Sequence, residues 1–130
     1  MENELVCLDT SILIDFYRKK NKEKSAFFQL TTKYKIFAVS IVTEYEIMIG
    51  TDSKQAEFWT DFFERVIILP FDKIANDAAI AITKQLKATN KLIEIPDIFI
   101  GATALANNLK IATFNKKHFE RIPGLEIIVD

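Results

Sequence analysis

One cysteine, one histidine, three glycines and three prolines stand among 130 residues, and each scarcity removes a class of chemistry. With Cys7 the only cysteine, no disulfide can close within the chain, and with His118 the only histidine no Cys/His zinc cluster can be assembled. Cys7 falls inside an apolar strand pattern and is expected in the core. Gly50, Gly101 and Gly124 are isolated from one another. That spacing excludes a phosphate-cradling P-loop, a dinucleotide G-x-G-x-x-G loop and the glycine-rich elbow that usually accompanies a Ser-His or Cys-His nucleophile. Apolar runs such as Val66 to Leu69 and Ile98 to Ala102 fall far short of the roughly 20 residues of a membrane span. The opening Met1-Glu2-Asn3-Glu4 lacks the basic region and apolar stretch of a secretory signal, so a cytoplasmic protein with no membrane partner is expected. A net charge of −1 gives no overall attraction to nucleic acid, and any RNA contact must rely on local cations.

What is present is a folded composition, 49% apolar and 27% charged, which leads us to expect one domain over residues 1–130. Short apolar runs predict strands at Leu5 to Leu8, Ile36 to Val39, Val66 to Leu69, Ile111 to Thr113 and Glu126 to Val129. Helical patterns lie between them. From Asp72 to about Thr89, Ala75, Ala78, Ala79, Ile82 and Leu86 share one face, with Asp72 as cap and Asn90 as terminator. Another helix is predicted from Pro96, taken as its first residue, to about Leu109. Strands alternating with helices imply an α/β fold with a parallel sheet covered on both faces, and function at the carboxyl ends of its strands.

Carboxylates remain in quantity once the other chemistries are removed. Asp9 ends the first strand, and taken alone it reads as the N-cap of a helix from Ser11 to Tyr17. Asp97 stands in the first turn of its helix, where the dipole favours an acid without any function. Glu46 follows Thr43 by three, the spacing of a capping box, while Glu44 reads as solvated. All three nevertheless stand where a strand hands over to a helix. Hard divalent cations take oxygen ligands, so the three together predict a magnesium-type site and a phosphodiesterase chemistry that needs no protein nucleophile. Asp15 falls off the Asp9 face of its helix and is read as structural.

Four stretches carry a family resemblance: Leu8-Asp9-Thr10-Ser11-Ile12-Leu13-Ile14-Asp15, Ser40 to Gly50, Pro96 to Ala106, and Ile111 to Phe119. In order and over essentially the whole chain they resemble the motifs of PIN-domain toxins of the VapC type. The resemblance implies a three-layer α/β/α sandwich, a magnesium- or manganese-dependent endoribonuclease, a cognate antitoxin and a homodimer. It assigns metal-holding and catalytic roles to Asp9, Glu46 and Asp97, and supporting roles to Ser11 and Thr113. The family often has a fourth acid just after the fourth strand. Here Asn115 occupies that position, a catalytic candidate that could coordinate through its carbonyl or bond a metal-bound water, and His118 replaces a frequent later aspartate.

Arg18, Lys19 and Lys20, within the basic run to Lys24, and Lys116, Lys117 and Arg121 after the last motif, are candidates for RNA phosphate contacts. Phe58, Trp59, Phe62 and Phe63 crowd one helix. They exceed what such a helix usually buries, so a homodimer surface or antitoxin groove is expected there. Two alternatives stand beside the nuclease: a catalytically weak or inactive PIN-fold module that binds RNA or protein, and a phosphatase using Asp9 as nucleophile. The second commonly wants a further aspartate where Ser11 stands.

Overall fold

In the computed structural model, which describes residues 5–128, five parallel strands form one sheet: β1 Leu5–Leu8, β2 Ile36–Ser40, β3 Ile67–Leu69, β4 Ile111–Ala112 and β5 Ile127–Ile128, in the order β3-β2-β1-β4-β5. All five expected strands are present with ends shifted by one residue or so; the last expected residue, Val129, lies outside the described residues. Among the described residues seven α-helices connect and cover the sheet: α1 Thr10–Arg18, α2 Ala26–Thr31, α3 Ile41–Ile49, α4 Ser53–Glu64, α5 Lys73–Ala88, α6 Ile95–Ala106 and α7 Lys116–Phe119.

The period-2 alternation of a strand divides the core in two. Cys7, Ala38, Leu69 and Ile111 face one layer with α5, α6 and Phe119. Val6, Leu8, Phe37, Val39 and Ala112 face the other, against α1, α2 and α4. The result is an α/β/α sandwich. Helices α5 and α6 are each followed by an asparagine in the left-handed region, Asn90 at φ 57° and Asn108 at φ 58°. There the following amides turn back onto the last carbonyls, Lys91 onto Leu86 and Leu109 onto Ala104. Asp72 caps α5 as expected, but α6 starts one residue before Pro96, with Glu94 at its cap position.

The aromatic helix is core. Trp59, Phe62 and Phe63 of α4 are buried and Phe58 is half-buried, packed edge to face and tilted against one another and against Phe16, Tyr17 and Phe27. The expected interface on these rings is therefore corrected. The sequence count omitted α2 and the last turn of α1, which bring their own aromatic rings over α4 and enlarge what the layer can bury. Part of the basic run is structural as well. Lys22 donates to the Phe16 and Tyr17 carbonyls at 2.6 and 2.7 Å, ending α1, with its ammonium over both rings.

Candidate active site

Sheet order reverses beside β1, with β2 on one side and β4 on the other, so the crevice of an open parallel sheet falls at the carboxyl ends of β1 and β4. Asp9 stands there. Its backbone amide donates to the Ala112 carbonyl and it caps α1, so the cap reading and a site reading hold together. The residue is only 1% exposed. Its Oδ2 accepts from Ser11 Oγ and Thr113 Oγ1, both at 2.7 Å, and more distantly from the Ser11 amide at 3.4 Å. Oδ1 receives no hydrogen bond among the described residues.

Glu46 reaches the site from α3. Its helix begins earlier than the capping-box reading requires: Ser40 is the cap, accepting from the Val42 amide at 3.0 Å. Thr43 is buried in the first turn, and the capping box is corrected. Thr10 Oγ1 donates to Glu46 Oε1 at 2.7 Å and lies 3.1 Å from Thr43 Oγ1. Glu44, expected in solvent, is half-buried and takes no part in these contacts. Asp97 arrives on the first turn of α6, where His118 Nδ1 of α7 lies 2.9 Å from its Oδ2. Asp9, Glu46 and Asp97 thus share one pattern. A protein partner orients one oxygen of each, and the other has no hydrogen-bond partner among the described residues.

The acids also feel one another. Burial raises the Glu46 carboxyl above its ordinary value, the Thr10 bond opposes this, and the charges of Asp9, Asp97 and Glu94 add to the rise. Asp97 is likewise raised by burial and by Asp9 and Glu94, against the bond and charge of His118. Burial pushes the Cys7 thiol up to about 12, with Asp9 assisting, which fits an inert core cysteine. The donor set is all oxygen and suits a hard cation. Among the described residues no three acids, histidines or cysteines already stand close enough to form a ligand shell, so ligation requires the free oxygens to draw together.

A carboxyl whose pKa is raised by folding binds its proton more tightly in the folded state. It therefore contributes stability at low pH that is lost as pH rises from the ordinary carboxylate range through the raised value. Thermal melts of metal-free protein across roughly pH 4 to 7 should show the parent losing stability relative to Glu46→Gln as pH rises. Parallel curves would show that Glu46 is not strained by its neighbours.

Thr10, Glu94 and His118 are the participants that sequence reasoning missed or left open. Thr10 follows Asp9 directly, and Glu94 lies one helical turn before Asp97, a spacing that puts both acids on neighbouring positions of a helix start. Asp15 is structural as expected, accepting from the Ala26 amide at 2.9 Å and lying 3.6 Å from Lys19. Asn115 is exposed at the cap position of α7, and its side chain makes no cap bond. Lys20, Lys116 and Lys117 are exposed, Lys19 is paired with Asp15, and Arg121 donates to the Lys91 and Leu92 carbonyls. Arg18 makes no side-chain hydrogen bond or ion pair among the described residues. It lines a cleft of about 260 Å³ together with Thr10, Tyr17, Glu46 and Gln55.

Fold and site together define an α/β/α protein with three oriented acids at its topological switch point. The chain belongs to the PIN-domain family, whose model matches residues 6–125, and within it to the VapC type. It is 34% identical to Ribonuclease VapC1 of Methanocaldococcus jannaschii, over 97% of this chain and 88% of that protein. It is 31% identical to Ribonuclease VapC of Rickettsia bellii, over 93% and 92% respectively. A DNA-bound VapBC structure from Salmonella typhimurium superimposes with a TM-score of 0.84 over 98% of each chain and agrees in fold at 24% identity. Among the described residues no helix is long and apolar enough to cross a membrane.

Proposed function

We propose that the protein is an endoribonuclease dependent on magnesium or manganese and the toxin of a toxin–antitoxin pair. The observation that carries this reading is the shared state of Asp9, Glu46 and Asp97, each with one oxygen fixed by a protein donor and one left without a partner. Identity above 30% to two proteins named as VapC ribonucleases supports the RNA substrate. A divalent metal ion held by Asp9, Glu46 and Asp97 would supply Lewis-acid charge to a phosphodiester and lower the pKa of a water at the site. The chain's own part is orientation. Ser11 and Thr113 fix the Asp9 carboxylate, Thr10 fixes Glu46, and His118 fixes Asp97, so each acid is oriented beforehand and binding has to draw the free oxygens together. Asn115 is assigned an auxiliary contact at the rim, through its uncommitted amide.

A protein antitoxin and a second copy of the chain are the partners assigned with this reading. Several structural neighbours are VapBC complexes. Ile41, Tyr45 and Ile49 lie four apart along α3 and are all exposed, Tyr45 by 64% and Ile49 by 67%, which leaves an apolar stripe for one such contact.

The experiment is cleavage of a panel of single-stranded and structured RNAs with magnesium, with manganese, and with chelator. Cleavage that appears with metal and disappears with chelator is expected. Chelator-resistant cleavage would remove the metal, and binding without cleavage across the panel would favour the non-catalytic module.

A further inference from the structure

Phe114 stands two residues beyond the end of β4, is 54% exposed and makes no ring contact with another aromatic residue among the described residues. Burying a phenylalanine ring is favourable, so its exposure beside a polar site is informative. Its backbone amide donates to Ser11 Oγ at 3.0 Å, and the same hydroxyl donates to Asp9 Oδ2 at 2.7 Å. The backbone that carries the ring is therefore anchored one hydrogen-bonded residue from the central acid. Ser11, Ile14, Asp15, Arg18, Lys19 and Phe114 line an open cleft of about 490 Å³ on this side of α1. The Lys19 charge is largely answered by Asp15, whereas the Arg18 guanidinium is uncommitted.

An exposed aromatic ring beside an unpaired guanidinium is the pairing that single-stranded nucleic acid uses, one base on the ring and one phosphate on the cation. The acidic centre itself repels phosphate and the chain is net negative, so a strand must be drawn in by groups at the rim. We propose that this cleft seats the nucleotide next to the scissile phosphate of a single-stranded RNA, its base stacked on Phe114 and its phosphate on Arg18. The inference rests on the ribonuclease reading for its substrate and adds the position and the means of recognition. Stacking selects for unpaired bases over helical RNA and is tolerant of base identity, so the cleft sets strandedness more than sequence.

The test is the affinity of the full-length protein for fluorescein-labelled oligouridylate and oligoadenylate, measured by anisotropy in chelator over a salt series. Phe114→Ala should weaken both by about tenfold, Phe114→Trp should restore affinity, and Phe114→Leu should resemble alanine because it keeps apolar area without a π-face. Arg18→Gln should lower the slope of log affinity against log salt by about 0.7, the share of one phosphate contact on a single strand. Alanine, leucine and tryptophan variants that all bind within twofold of the parent would overturn the subsite. A parent without measurable affinity would overturn it too, as would a Phe114→Ala variant that binds RNA normally but loses self-association. Cleavage by the parent with manganese is followed in parallel. A parent that binds but does not cleave removes the nuclease reading while the Phe114 comparison still stands or falls by its own affinities.

Discussion

Asp97→Asn should abolish metal-dependent RNA cleavage while leaving the metal-free protein as stable as the parent or slightly more so. The charge that offsets a divalent cation disappears, and metal stabilisation of a phosphodiester is worth several kcal/mol. At about 1.4 kcal/mol per factor of ten, the loss in kcat/KM is on the order of a hundred- to a thousandfold. Stability behaves differently because Asp97 is already strained. Burial and the charges of Asp9 and Glu94 raise its pKa, and an amide relieves that repulsion while still offering His118 a hydrogen bond. Asp9→Asn should lose cleavage equally but fold less well. Asp9 is buried, caps α1 and accepts from Ser11 and Thr113 on the same oxygen, so an amide that keeps those bonds must place its NH2 at the buried Oδ1 position without a hydrogen-bond partner. That mismatch costs about 1 kcal/mol, or roughly 4 °C in Tm for a chain of this size. Cleavage assays with manganese, paired with metal-free melts, separate the two variants. Undiminished cleavage by Asp97→Asn would end the metal mechanism. A Tm for Asp97→Asn well below that of Asp9→Asn would reverse the assignment of which acid is structural.

The contrast between these two acids was only partly legible in the sequence. Asp9 could be placed at a strand end and Asp97 in a helix start because both positions follow from local patterns, the apolar run before Asp9 and Pro96 before Asp97. Of the groups that orient them, only Ser11 is local, two positions from Asp9. Thr113 lies 104 positions from Asp9 and His118 lies 21 from Asp97, so each bond exists only once the sheet order has brought β4 and α7 to β1 and α6. Glu46 shows the opposite failure. Thr43 and Glu46 satisfied a local rule at the right spacing, yet Ser40 started the helix and freed the glutamate for Thr10. The strands were found because a sheet buried on both faces leaves continuous apolar runs. The six-residue α2 and four-residue α7 were not, since neither is long enough to display a period. Lys22 looked like one more cation in a basic run, and only the approach of α1's last carbonyls gave it a structural role.

Trp59→Ala should cost about 3–5 kcal/mol of folding stability, a large share of the roughly 5–15 kcal/mol that holds a domain of this size together. The indole is 2% exposed and lies 5.0 to 5.8 Å, centroid to centroid, from the rings of Tyr17, Phe58, Phe62 and Phe63. Truncation leaves a void among rigid rings that cannot collapse into it, which places the loss towards the upper end of the range. Trp59→Phe keeps a ring in contact and should cost far less. The effect also reaches the site. Tyr17 packs on Trp59 and sits next to Arg18, so a loosened α4 frees the last turn of α1 and blurs the position of the guanidinium. Urea denaturation at two protein concentrations provides the measurement. A core role requires a midpoint shift that is the same at both concentrations. If Trp59→Ala instead shifted the midpoint only at low concentration, or cost less than about 1 kcal/mol against the core value above, the aromatic helix would be acting as a subunit interface.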